Sequence, residues 1–509
     1  MTLPKSLTIR LNPSDNVVVA MAPLEAGKEI PEEHVLCRDN IPESHKVATG
    51  DITDGNTVRK YGQIIGVASR DIKAGEHVHT QNMTMLDYDR EYAFGTETRP
   101  TSFVSEKEQA NFLGILRPDG RVATRNYIGV MASASCSSSV VRFIVDAFDE
   151  EALTGFPNVD GVVSIVHGSG CGLADHGDGI EYLERTLAGW ARHPNFAGIV
   201  LVGLGCEINQ IDLFTEKMNL GSGPMFRAFN IQGVGGTRKA VQRGVEAVEE
   251  MLHRANQLER RPVSASHLVV GLECGGSDAL SGITANPALG AASDLIVRHG
   301  GTVILSETTE IYGAEQLLIQ RAESEEVGRK LLARIRWWEN YTRHNGIELN
   351  NNPSPGNKAG GLTTILEKSL GAVAKSGSTN LVEVYRFAEP VTTKGLVFMD
   401  TPGYDVTSVT GMIAGGANIV CFTTGRGSVF GSKPAPTIKL ATNSGMFRAM
   451  EEDMDVNCGL IVDGASGVEE TGRVIFQKIL DTASGQKTKS ETFGFGDNEF
   501  VPWHMGAIL

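Results

Sequence analysis

Apolar and polar residues alternate over short distances through the first 90 residues, where SLTIRL, NVVVAMA, KVAT, TVRKYGQIIGVAS and EHVHTQNM are separated by Gly, Pro, Asp and Asn. That rhythm predicts short strands joined by tight turns, hence a small all-β module over residues 1–92. The polar stretch AFGTETRPTSFVSEKEQA has no sustained period and predicts a linker over 93–108. From Asn126 the rhythm lengthens. Apolar runs (NYIGVMASA, VDGVVSIVH, FAGIVLVGL, HLVVGLE, TVILSE) alternate with amphipathic stretches such as SSVVRFIVDAFDEEAL and DGIEYLERTLAGWARH. Continuous apolar strands alternating with helices predict a mainly parallel α/β domain over 109–265, the rhythm running on through HLVVGLE and TVILSE into the next domain. KGLVFMD, ANIVCFTTG and a late helix at VEETGRVIFQKILDTAS predict a further C-terminal α/β domain over 266–509, with the Gly/Pro-rich stretch 350–361 as an active-site loop or domain junction.

Composition narrows the function classes. A net charge of -15 over 509 residues, with no Lys/Arg cluster, argues against a nucleic-acid partner, because phosphate binding needs a basic face. No apolar run approaches the roughly 18 residues of a membrane helix and no export signal is evident, so a cytoplasmic protein without a membrane partner is expected. Seven cysteines without a secretion signal predict free or metal-bound thiols rather than disulfides. A symmetric homodimer is the default assembly for an enzyme of this size.

The thiols also share a placement. MASASC, IVHGSGC, LVGLGC and VVGLEC close apolar runs at Cys136, Cys171, Cys206 and Cys274. Carboxyl ends of parallel strands line one crevice in an open α/β sheet, so the four thiols are expected to converge there and to select iron, an iron-sulfur cluster or zinc. No CxxC pair occurs. His167, Asp175, His176, Glu207 and Glu273 accompany the thiols, and the glycines around His167 would let backbone approach a ligand. Three polar loops suit an oxygen-rich anion: Ser277, Asp278, Ser281, Thr284 and Asn286 in the first, Asn357 and Lys358 in the second, Arg426 in the third. In the β module His45 precedes Lys46, while His77 and His79 share one strand face and form a potential metal pair. The chain lacks GxGxxG, Walker A, HExxH and GxSxG, which disfavours dinucleotide dehydrogenases, P-loop enzymes, zinc proteases of that type and α/β hydrolases.

Together these segments resemble the altronate dehydratase and galactarate dehydratase family of sugar-acid hydro-lyases over almost the whole chain. The resemblance rests on DNVVVA and SHKVA, then HGSGC, HPNFAGIVLVGLGCE, GLECGGSDALSGITANP, NPSPGNKAGG, KSG, TTGRG and IKLATNS. It implies a SAF domain for the β module, a Rossmann-like domain after it, and dependence on iron, either mononuclear or in a cluster. The implied reaction removes water from a 2,3-dihydroxy acid to leave a 2-keto-3-deoxy acid. HVHTQN, GAEQLL and KLATNS resemble the altronate enzymes, whereas EEVGRKLLARIRWWENY and KGLVFMDTPGYD resemble the galactarate enzymes. Sulfolactate sulfo-lyases share the same modules and remain an alternative, and a non-catalytic sugar-acid binding protein is a further one, disfavoured by the retention of all four thiols and His45. Under this resemblance Cys136, Cys171, Cys206 and Cys274 are the metal-ligand candidates, with His167 as auxiliary ligand or base. His45, delivered by the module, is the candidate for proton transfer. Lys358 and Arg426 are expected to hold the substrate carboxylate and Asp278 and Asn286 its hydroxyls, with Asn357 a further substrate-binding candidate.

Overall fold

Short strands and frequent turns build the amino-terminal module in the computed structural model, which describes residues 6–86, 91–221 and 223–506. Val17–Ala20 lies between Thr8–Ile9 and Lys46–Ala48, and His77–Val78 closes that antiparallel sheet. TVRKYGQIIGVAS is a hairpin, Thr57–Lys60 against Gln63–Ala68, turning at Tyr61 and Gly62. Val18, Leu24, Ile30, Ile41 and Val47 form a small core of the module's own. Its opposite face, with Val17, Ala48, Val58 and Ile65, merges into the same apolar core as Leu272, Leu289 and Ile365. The module is therefore fused onto the C-terminal domain by burial of apolar surface.

Residues 91–110 form no helix or strand, yet they are pinned along the surface by bonds such as Val104 N–H to the Arg298 carbonyl, 2.8 Å. Beyond them, Gly161–Ile165, Tyr127–Ala132, Phe196–Gly203 and Phe226–Asn230 make a four-stranded parallel sheet in that order. Helices Ser138–Val145 and Thr237–Ala255 cover one face through Val141, Ile144, Val248 and Met251. Asp178–Ala191 covers the other and packs on helix Asp405–Gly415 of the next domain.

The C-terminal domain holds seven parallel strands. Val269–Cys274 is central, flanked by Thr302–Leu305 and Ile419–Thr424. Gly395–Met399 and Leu381–Tyr385 extend one side, and Thr437–Ala441 and Val456–Asn457 the other. The apolar run VVGLEC needs no polar face, because helices Ala285–Arg298 and Val468–Ala483 on one side and Asp405–Gly415 on the other bury both faces. The chain leaves Val269–Cys274 to one side and returns to the other, so the crevice at its carboxyl end is a topological switch point.

This corrects one expectation. The strand ending at Cys274 belongs to the seven-stranded sheet, whereas Cys136, Cys171 and Cys206 follow strands of the four-stranded one. The four thiols do not share one sheet's crevice.

Candidate active site

The switch point gathers charge that the hydrophobic pattern conceals. Cys274, the last residue of its strand, is buried and accepts a bond from Lys375 Nζ at 2.8 Å. Lys375 also pairs with Glu307 Oε2 at 3.1 Å, and Lys368 Nζ with Glu310 Oε1 at 2.6 Å. Ser408 donates to Glu273 Oε2 at 2.7 Å, and Asn352 to Glu310 Oε1 at 2.9 Å. Glu273, Glu307, Glu310, Lys368 and Lys375 are all buried, a costly arrangement that persists only when charges are paired. The pairing is incomplete. Glu273 Oε1 and Glu307 Oε1 are buried without a hydrogen-bond partner. Each such orphan costs on the order of 1–3 kcal/mol unless something absent from the chain satisfies it. Glu307 also sits at φ 65°, in the left-handed region, where a non-glycine residue is strained by roughly 1–3 kcal/mol.

Asp405, half-buried at the start of its helix, faces this group. One carboxylate oxygen each of Glu273, Glu307 and Asp405 lies within 4.8 Å of the others, as do atoms of Cys274, Glu307 and Glu310. Burial, then the charges of Glu307 and Glu310, push the Asp405 carboxyl up to about 7. Burial and Glu307 likewise raise Glu273 well above the carboxylate range. Clustered carboxyls that resist ionisation are what a bound cation would relieve, and three oxygens suit a hard divalent ion.

The polar loops singled out from sequence do meet. Asp278 is buried and accepts from Thr442 Oγ1, Ser281 Oγ and Asn443 Nδ2 at 2.9 to 3.2 Å. Gly425 passes so close that any side chain there would collide with the Asp278 carboxylate. Asn357 caps helix Pro355–Ala359 through Ser354 and donates to the Ser277 carbonyl at 2.8 Å. Asn286 Nδ2 donates to the Gly371 carbonyl at 2.9 Å, while its Oδ1 has no partner. Asp278 and Asn357, expected to bind substrate, thus hold the loops against one another. Lys358 is half-buried and Arg426 exposed, and neither makes a side-chain hydrogen bond or ion pair among the described residues.

The β module roofs this region. Lys46 and Lys60 reach Glu367 at 2.9 Å each, all three side chains being buried. Burial pushes the Glu367 carboxyl up, but Lys46 and Lys60 pull it further down, so it is ionised. Gly361, at φ 96°, passes the Ser44 carbonyl where a side chain would clash. His45 Nε2 lies 3.2 Å from the Ala359 carbonyl, and its Nδ1 lies 2.9 Å from His77 Nε2. With both ring nitrogens engaged, His45 presents no free base toward the cleft, contrary to expectation.

The other thiols stand apart. Cys136, Cys171 and Cys206 are exposed. They lie four, six and three residues beyond the strands Tyr127–Ala132, Gly161–Ile165 and Phe196–Gly203, on the intervening turns. The Cys171 thiol is pushed up, first by Cys136 beside it and then by the field of Cys206. Glu207 folds back, accepting from Ser133 Oγ at 2.6 Å and Gly205 N–H at 2.6 Å, and so shapes the turn that presents Cys206. His167 is equally committed: its Nε2 bonds the Ala132 carbonyl at 3.1 Å, and its Nδ1 accepts from Ser169 N–H at 3.2 Å. With both ring nitrogens bonded, His167 braces the Cys171 loop, and burial pushes its pKa down to about 4. Asp175 and His176 pair with each other in solvent.

Sequence reasoning missed Glu307, Glu310, Asp405, Lys368 and Lys375. Their signal was present: SETTE follows a buried strand, and two lysines interrupt the helical run ILEKSLGAVAKS, where every residue of Ile365–Val373 is buried.

Comparison with known proteins follows the same three parts. Residues 6–86 match the altronate/galactarate dehydratase SAF domain. Residues 114–256 match the D-galactarate dehydratase/altronate hydrolase second domain, and 265–508 the D-galactarate/altronate dehydratase C-terminal domain. The galactarate dehydratase (L-threo-forming) of Escherichia coli is 37% identical over 500 residues, covering 96% of this chain and 95% of that one. The altronate dehydratase of Bacillus subtilis is 34% identical, covering 98% and 99%. The (2R)-sulfolactate sulfo-lyase subunit beta of Chromohalobacter salexigens is 31% identical, covering 78% of this chain and 98% of that subunit.

Proposed function

The chain belongs to the D-galactarate/altronate dehydratase family, and from that premise we propose that it is an iron-dependent hydro-lyase acting on an aldonate of the D-altronate type. The C2 proton leaves first, giving an enediolate. Its electrons then form the C2–C3 double bond as hydroxide departs from C3, and the enol relaxes to the 2-keto-3-deoxy acid. The observation that carries this reading is the set of orphaned, buried carboxylate oxygens at the switch point, beneath loops latched through Asp278.

Glu273 and Glu307 would hold the iron, their unpartnered oxygens fitting a cation. When bound, the metal supplies positive charge opposite the developing enediolate. Asp405, half-buried beside Glu273 and Glu307, takes the C2 proton on a carboxylate oxygen. Lys358 and Arg426, both without partners among the described residues, take the substrate carboxylate. That two such cations are present favours a second reading, a diacid such as galactarate with one cation for each end. For the metal, the mutual contact of Cys136 and Cys171 beside Cys206 favours a second donor set, three thiolates of a cluster that leaves one iron uncommitted.

The test is anaerobic purification followed by iron and acid-labile sulfide analysis on the sample assayed. D-altronate, galactarate and (2R)-sulfolactate are offered separately, and 2-keto-3-deoxy acid and sulfite are measured. Turnover of D-altronate with iron that E307Q loses supports the first reading. Sulfide that C171S loses assigns iron to the thiols. Absence of keto acid from both sugar acids in iron-loaded protein overturns the hydro-lyase assignment.

A further inference from the structure

We propose that His45, His77 and His79 of the β module form a separate binding site for one zinc-class divalent ion, at the seam with the C-terminal domain. The three rings come from neighbouring strands, since Lys46–Ala48 pairs with His77–Val78 in the register Val47 to His77. One nitrogen of each ring lies within 4.8 Å of the others. Ring centroids are 4.9 to 5.4 Å apart, with His77 and His79 stacked 13° from parallel. Three imidazoles facing one point match the donor set that borderline divalent metals prefer.

His45 Nε2–H donates to the Ala359 carbonyl at 3.2 Å, so His45 Nδ1 is the acceptor and His77 Nε2–H the donor in the 2.9 Å contact between them; an ion seated there replaces that one shared proton when His77 moves its hydrogen to Nδ1. A carbonyl on the far nitrogen is the outer-sphere support that metal-binding histidines ordinarily have. His79 Nδ1 is buried with no partner at all. No carboxylate bonds any of the three rings among the described residues; Asp39 accepts from the His77 backbone N–H instead. A purely structural trio would be expected to satisfy these atoms. The adjacent Lys46 ammonium is already closed on Glu367. His77 and His79 are half-buried, which leaves the fourth coordination position toward solvent.

The site is independent of the iron reading and is tested without activity. Full-length protein stripped by chelator is titrated with Co2+ alone, following visible absorption and stoichiometry, for the wild type, H77Q/H79Q, H79Q, E307Q and C171S. The expected result is a tetrahedral d–d band accounting for one equivalent that H77Q/H79Q lacks and both E307Q and C171S retain, whatever further Co2+ the wild type takes up at Glu307 or Cys171, and binding at that band weaker by at least about 100-fold in H79Q. A band and stoichiometry unchanged in H77Q/H79Q, or unchanged affinity in H79Q should the double variant not fold, overturns the proposal.

Discussion

In the four-stranded sheet the thiols sit on turns three to six residues past the strands and meet water, whereas in the seven-stranded sheet Cys274 is the last rung of the central ladder and meets Lys375. Both positions are strand carboxyl ends, and both read alike as cysteine after an apolar run. What separates them is cover. The first sheet ends in open turns; the second is roofed by the β module and by loops latched on Asp278. Topology places a crevice, but burial decides which chemistry can occupy it: soft thiols tolerate exposure, while carboxylates and lysines in a dry site must balance one another.

Removing Glu307 breaks the comparison most severely. E307Q is expected to lower turnover by about three orders of magnitude, read from steady-state kinetics on iron-loaded protein, because the buried centre stabilises the transition state. If C171S abolishes turnover while E307Q preserves it, the reacting centre lies at the exposed thiols. Next is the roof: E367Q leaves Lys46 and Lys60 buried without a counter-charge and should cost about 3–5 kcal/mol in equilibrium unfolding. C206S, on an exposed turn, should stay within about 0.5 kcal/mol in metal-free protein. The smallest effect concerns His167, whose two bonds brace the Cys171 loop. H167Q should cost about 1 kcal/mol at pH 7. In the wild type the unfolded histidine takes a proton near pH 6.5 while the folded one waits until about 4. Stability is therefore lost as pH falls through that window, and the gap between H167Q and wild type should narrow from pH 6.5 to 4.

Much of the scaffold was legible. Alternation in NVVVAMA and continuous runs such as VVGLEC declare which strands have one buried face and which have two. Sheet membership was not, because strand order depends on crossovers that no local pattern records; Cys274 was grouped with the wrong sheet for that reason. The polar loops were found by their glycines, yet Asp278 and Asn357 proved to be latches, since a residue type says what a side chain can bond and not whether a neighbour has already bonded it. Lys368 and Lys375 escaped notice because a charge inside an apolar helix reads as noise until Glu310 and Glu307 are placed opposite.

The two lysines that close on Glu367 also bear on which parts can pair. Apolar burial between the β module and the C-terminal domain is non-directional. A module lacking Lys46 and Lys60 would leave Glu367 buried with the Thr363 bonds but no counter-charge. The trio thus works as a credential, adding a charge requirement that apolar contact alone does not impose.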